Sequence, residues 1–167
     1  IALDVFKANF YELSESAAKK AIERASEMTD TFLKKFFEEI PELIPKLEDP
    51  AIQSSIFNAQ RGYARTGDKD LEKMLLDVLI DRINSKERSI KQIVLDEAIS
   101  ILPKLTKNQI NILSLSLSAT DVQYTDVNTL RGFDAFVNDA LLAFFPERAS
   151  KAEFTHLQYC GCFTLPM

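Results

Sequence analysis

A chain of 167 residues with 46% hydrophobic and 27% charged residues has a globular composition, which excludes a disordered segment and allows one domain with its own core. A formal net charge of -5 argues against nucleic acid as a partner, because such binding needs a concentrated positive field. No apolar run approaches the roughly 20 residues that cross a bilayer, so we expect no membrane partner.

The first forty residues predict one long amphipathic helix. No Pro or Gly occurs between Ile1 and Ile40, and apolar residues recur there in steps of three and four. These residues form an apolar stripe of Leu3, Phe6, Phe10, Leu13, Ala17, Ala21, Ala25, Met28, Phe32 and Phe36. Ser14 could cap a second helix and break the first, but Ala17 stands where a capping box has Glu. We therefore predict a continuous helix, ended by Pro41 and Pro45.

The next two helices are predicted to form a hairpin. Asp49 followed by Pro50 is a start signal, because Asp accepts backbone N–H bonds and Pro needs none in the first turn. The second helix should extend from about Pro50 to Arg65. Thr66-Gly67-Asp68 then supplies a C-terminal glycine and the next N-cap, so the third helix, about Lys69 to Asn84, folds back.

Two further helices follow. The fourth should start near Lys86 or Ser89 and stop before Pro103, and the fifth opens with a capping box of Thr106 and Gln109. Leucine and serine alternate from Leu113 to Ser118, which is a strand pattern. We still predict a helix there, because the cap is explicit and no second strand exists to pair with it.

The last third of the chain predicts a loop and two helices. A polar loop should cover Ala119 to Asp126, and a sixth helix should extend from Asn128 to Phe145, closed by Pro146. Ser150 and Glu153 form another capping box, which starts a short seventh helix that ends at Gly161.

The predicted fold class is all-α. We expect a single-domain bundle of about six to seven helices over residues 1–167, with a long N-terminal helix and helical hairpins. The successive hairpins also fit a solenoid of helical pairs, but two pairs without a repeated signature favour the bundle. A start at Ile1 rather than Met leads us to expect a fragment of a longer protein.

Charged residues on the predicted hairpin form the first candidate site. Arg61 and Arg65 lie one turn apart on the second helix, and Asp77 and Asp81 lie one turn apart on the third, with Arg82 beside them. If the two rows meet, they form either a cleft for an anionic ligand or an ion-pair seam at the surface. The seam is the simpler interpretation.

The C-terminal segment holds the second candidate site. His156 and Cys160 are four residues apart on one helical face, and Cys162 follows them. Structural zinc needs four ligands, so Asp, Glu or another chain would have to supply one more. The alternative is that Cys160 packs as a small hydrophobe and His156 lies at the surface. The two cysteines are too close together to staple a fold, so we expect a reducing cytoplasm.

A cluster of basic residues at the turn after the third helix is the best nucleic-acid candidate. Its members are Arg82, Lys86, Arg88 and Lys91. No aromatic residues interleave for base stacking, and Asp81 and Glu87 dilute the field, so we interpret the cluster as a solvated turn. The sequence has no phosphate loop, triad signature or metalloprotease helix, so we predict no catalytic residue and no cofactor.

Five segments spread along the chain are similar to recurring segments of one family. They are Ile1–Leu13, Tyr63–Leu71, Asp77–Arg82, Pro103–Thr106 and His156–Cys162. The chain thereby resembles an uncharacterised family of bacterial, largely helical proteins. The resemblance implies that an upstream segment precedes Ile1. It implies no catalytic residues, because the family has no assigned activity.

The length of the apolar stripe motivates the functional prediction. The stripe is longer than the shorter helices need to cover, and an apolar surface that extends past its own domain packs against another protein. We predict a non-enzymatic interaction or oligomerisation module whose Leu3, Phe6, Phe10 and Leu13 contact a second copy or a neighbouring domain. The alternative is a ligand-binding or enzymatic domain that uses the arginines and aspartates of the hairpin.

Overall fold

The computed structural model describes residues 2–86, 88–120, 129–145, 149–162 and 164, without the side chains of residues 2–6, 8, 9, 139 and 140. The described residues form helices and no strands, which confirms the all-α class. The chain divides into two compact units, Ile1–Lys104 and Leu105–Met167, which are described separately. That residues 1–167 form one domain stays a prediction.

The first helix of unit 1 is long and unbroken. Helix α1 covers Ala2–Glu39 and continues through Ser14, which confirms the predicted continuity. It ends at Ile40, whose φ of -142° leaves the helical region, one residue before Pro41. A 3-10 helix then covers Pro41–Glu48, where the sequence predicted only the end of a helix.

The predicted hairpin is confirmed, with boundaries set by local hydrogen bonds. Helix α2 covers Pro50–Thr66, and the Asp49 carboxylate accepts a 2.8 Å bond from the N–H of Ala51. Gly67 ends this helix at φ 67°, a left-handed conformation that glycine adopts without steric cost. Helix α3 covers Lys69–Asn84.

The last helix of unit 1 packs closely against α2. Helix α4 covers Ile90–Ile101 behind the cap of Ser89, and a 3-10 turn covers Leu102–Lys104. A Cβ atom on Gly62 of α2 would lie 2.5 Å from Pro103 Cγ, so only glycine permits this approach.

The core of unit 1 combines one face from each of its four α-helices. Its buried members are Met28, Phe32 and Phe36 of α1, Ile52, Ala59 and Tyr63 of α2, Leu71, Leu75, Leu76, Leu79 and Ile83 of α3, and Ile99 of α4. The rings of Phe32 and Phe36 lie 5.4 Å apart between centroids, a separation typical of favourable aromatic pairs. This core covers only the second half of α1.

The described residues of unit 2 form three helical regions. Helix α5 covers Lys107–Thr120, and its predicted capping box forms in both directions, at 3.1 and 3.2 Å between Thr106 and Gln109. The alternating leucines are thus helical, as predicted. The predicted loop is wrong for Ala119 and Thr120, which end α5, and the rest of that loop lies outside the described residues.

The sixth predicted helix is present but not uniform. Helix α6 covers Leu130–Ala135, a π-helical segment covers Phe136–Leu141, and a 3-10 turn covers Leu142–Phe144. The predicted start at Asn128 and the closing Pro146 lie outside the described residues, and the 3-10 turn ends one residue before the predicted end at Phe145. Helix α7 covers Lys151–Tyr159 behind the complete capping box of Ser150 and Glu153.

Candidate functional site

The first half of α1 exposes the apolar stripe that its second half buries. Every side chain from Phe10 to Lys20 is exposed, and Leu13 is 70% accessible. Further along the helix, Met28 is 1% exposed and Phe36 is 0% exposed. We call Phe10, Leu13 and Ala17 the exposed stripe. The side chains of Leu3 and Phe6, also predicted at the interface, lie outside the described residues.

Among the described side chains of α1, Arg24 is the first along the chain that makes a polar contact with the rest of unit 1. Arg24 Nη1 donates to the carbonyl oxygen of Ala64 at 3.1 Å, and Gln60 Nε2 donates to Thr29 Oγ1 at 2.7 Å. These contacts tie the helix to α2. The exposed stripe lies before the first of them.

Glu27 of α1 contacts side chains of both α2 and α3. Its carboxylate accepts a 2.5 Å bond from Lys69 Nζ and a 3.0 Å bond from the hydroxyl of Tyr63. The hydrogen bond from Lys69, followed by that from Tyr63, lowers the pKa of Glu27 below its ordinary value of 4.5. The same contact with Glu27 raises the pKa of Lys69. The ammonium group of Lys69 also lies 5.1 Å from the ring centroid of Tyr63.

The two charged rows predicted on the hairpin take different partners. Asp77 pairs with Lys35 of α1, and this hydrogen bond raises the pKa of Lys35. Arg65 Nη2 donates instead to the carbonyl oxygen of Pro103 at 3.4 Å. Asp81 is exposed. The condition set by the sequence, that the two rows meet, is therefore not met by Arg65 and Asp77, which contact different neighbours.

Arg82 is a structural residue rather than a surface charge. It is 3% exposed, and its Nε donates to Asp96 Oδ1 at 2.8 Å, which also accepts a 2.7 Å bond from Ser55 Oγ. Its burial removes one of the four charges of the basic turn from the surface, whereas Lys86, Arg88 and Lys91 are exposed.

A groove between α2 and the end of α4 brings Lys104 to the two arginines that the sequence had placed one turn apart. We call it the arginine groove; it encloses about 280 Å³ and is lined by Asn58, Arg61, Gly62, Arg65, Ile99, Ser100, Pro103 and Lys104. Three of these residues are cationic and none carries a carboxylate. Lys104, Asn58 and Ser100 were missed, because no local pattern shows which helix end faces Arg61.

The C-terminal cluster in unit 2 is joined to α5. His156 Nδ1 lies 2.9 Å from the side-chain amide of Gln109, and Cys160 Sγ lies 3.7 Å from His156 Nε2. Glu153, the acid of α7, is used by the capping box of that helix and by Asn108. Within the part of the chain that the structure describes, no three His, Cys, Asp or Glu side chains are grouped as a metal site.

Similarity to known proteins identifies the family of this chain. No described helix is long and apolar enough to cross a membrane. No curated protein and no solved structure matches the chain. A model of a protein family of unknown function matches residues 1–167, which is the whole chain. The chain therefore belongs to this family of unknown function, in agreement with the resemblance seen in its sequence.

Proposed function

We propose that the chain is a non-enzymatic oligomerisation module, in which the exposed stripe of α1 packs against the same stripe of a second copy. One observation carries the proposal. A single helix continues one apolar stripe from a buried half into an exposed half, with Phe36 fully buried and Leu13 70% exposed.

Helix energetics support a partner for the first half of α1. Most of the stability of a helix in a protein comes from packing of its apolar face rather than from the helix propensity of its residues. The ion pair between Lys19 and Glu15, at 2.8 Å, is exposed and adds only about 0.3–0.5 kcal/mol. Packing of the apolar face against a partner would supply the stability that this ion pair does not.

The order of side-chain sizes along the stripe supports a second copy, in antiparallel orientation, as the partner. Large residues come first, with Phe10 and Leu13, and small ones follow, with Ala17, Ala18 and Ala21. An antiparallel pair centred near Ser14 would set Phe10 of one copy beside Ala17 and Ala18 of the other. Large side chains opposite small ones pack without voids, whereas a parallel pair in register sets Phe10 against Phe10.

Light scattering with two neighbouring substitutions tests the proposal. Ala17→Glu places a charge on the stripe, and Ser16→Glu places the same charge about 100° around the helix from Ala17, at the flank of the stripe. We expect the unmodified chain and Ser16→Glu to dimerise as concentration rises, and Ala17→Glu to stay monomeric. A strict monomer at high concentration for the unmodified chain would contradict the proposal, as would equal dissociation of both variants.

Disulfide cross-linking tests the orientation in a background of Cys160→Ser and Cys162→Ser. With an antiparallel pair, Ser14→Cys forms a cross-linked dimer, whereas two copies of Lys7→Cys lie about 20 Å apart and do not. With a parallel pair, both variants cross-link. Cross-linking of both would overturn the antiparallel arrangement but leave self-association intact.

A bacterial, cytoplasmic setting completes the proposal. The sequence resemblance supports the bacterial source, and the close spacing of Cys160 and Cys162 supports a reducing compartment. Fractionation of cells that express the full-length protein tests the location. Recovery from an oxidising compartment would contradict it.

A further inference from the structure

We propose that the arginine groove is a binding site for a phosphate group, either as free phosphate or as a small phosphate monoester. The site is separate from the exposed stripe of α1, so it does not depend on the proposed oligomerisation. The proposed site keeps Arg61 and Arg65 from the cleft that the sequence offered as an alternative, but Asp77 and Asp81 do not line it.

The charge of the groove favours an anion. Arg61, Arg65 and Lys104 bring three positive charges to a space of about 280 Å³ whose lining has no carboxylate. The whole chain carries a net charge of -5, so this accumulation is not a general property of the surface. Guanidinium groups bind phosphate oxygens through two parallel N–H bonds, and an ammonium group adds a point charge.

These cations also differ from the paired cations of unit 1. Lys19, Lys35, Lys69 and Arg82 each form an ion pair with a carboxylate. Within the described residues, Arg61, Arg65 and Lys104 form no ion pair, and Arg65 contacts only a carbonyl oxygen, that of Pro103. Their charges are thus available to a ligand.

The backbone that frames the groove is closely packed, and buried residues form its floor. Gly62 and Ile99 are both buried, and the close contact of Gly62 with Pro103 holds the 3-10 turn that carries Lys104 against α2. This contact keeps the backbone that carries Lys104 close to the backbone that carries Arg61 and Arg65. The amide of Asn58 and the hydroxyl of Ser100 add neutral donors, and the volume suits a phosphate with a small substituent.

Titration calorimetry at constant ionic strength tests the site with inorganic phosphate and with phenyl phosphate as probes. We expect both to bind, and Arg61→Gln to weaken binding at least tenfold. Arg61→Gln with Lys104→Gln should abolish it. Lys73→Gln is the matched control, because it removes an exposed charge of α3 outside the groove, and it should change affinity less than twofold. Tighter binding of phenyl phosphate would identify a monoester as the better ligand.

Two results would overturn the proposal. One is the absence of binding of either probe to the unmodified chain, and the other is an equal loss in Lys73→Gln, which would indicate nonspecific attraction. Denaturation curves of each variant establish that it is folded. Binding with an intact groove and a monomeric chain would leave this site standing while contradicting the proposed oligomerisation.

Discussion

The two halves of α1 have the same periodicity and opposite environments. From Met28 to Phe36 the apolar stripe lies in the core of unit 1, and from Phe10 to Lys20 every side chain is exposed. The hydrophobic periodicity therefore predicts which face of a helix is suited to packing, but it does not predict whether another element covers that face.

The boundary between the halves is a polar contact with the end of α2. Arg24 donates to the carbonyl oxygen of Ala64. A Cβ atom added to Gly67 would lie 2.5 Å from Cζ of Arg24, so the guanidinium group packs directly against this glycine. The turn at Gly67 thus marks the point where α2 stops covering α1. Nothing in the described part of unit 1 buries the exposed stripe, which lies before Arg24 in the chain.

The largest expected effect comes from the buried half. Phe36→Ala removes a fully buried ring that packs against Phe32, and we expect it to lower the free energy of unfolding by about 3–5 kcal/mol. Urea denaturation followed by circular dichroism measures the loss. A loss under about 1 kcal/mol would mean that this half of the helix is not part of the core.

A smaller effect is expected where α2, the helix that covers the buried half, meets Pro103. Gly62→Ala puts a Cβ 2.5 Å from Pro103 Cγ, so we expect a loss of about 1–3 kcal/mol, although alanine favours helices. Ser54→Ala, at an exposed position of the same helix, is the control and should change little. Stabilisation by Gly62→Ala would show that the space between α2 and Pro103 accommodates a methyl group.

The pH dependence of the contact between α1 and α3 should be smaller still. The pKa of Glu27 is lowered in the folded state, so its carboxylate stabilises the fold at pH above the unfolded value and this contribution disappears as pH falls through the folded value. We expect Glu27→Gln to be less stable than the unmodified chain at pH 7, with the difference vanishing well below pH 4.5. Denaturation across this pH range measures it. A difference that grows on acidification would contradict the assignment.

The smallest effect is expected in the exposed half. Leu13→Ala should change the free energy of unfolding of the monomer by less than about 0.5 kcal/mol, because the side chain is 70% exposed. Denaturation at a concentration too low for association is the measurement. A loss as large as that of Phe36→Ala would show that the residue is buried in the monomer in solution.

Much of the fold could be predicted because its boundaries are local. Asp49, Asp68, Ser89, Thr106 and Ser150 each cap a helix by bonding to a backbone group two or three residues ahead, so the signal lies within one turn of sequence. The errors are also local. The 3-10 helix after Ile40 and the last turn of α5 lie where prolines or polar residues favour several conformations.

The candidate sites could not be predicted in the same way. The sequence alone determined that Arg61 and Arg65 share one face of α2, since that follows from helical spacing. Only the tertiary structure decided that they face Lys104 while Asp77 pairs with Lys35 and Arg82 is buried beside Asp96. Likewise, the sequence determined the stripe of α1, but packing against α2 and α3 decided which half is buried. Contacts between distant segments depend on the shapes of both surfaces, and no spacing along one helix encodes its partner.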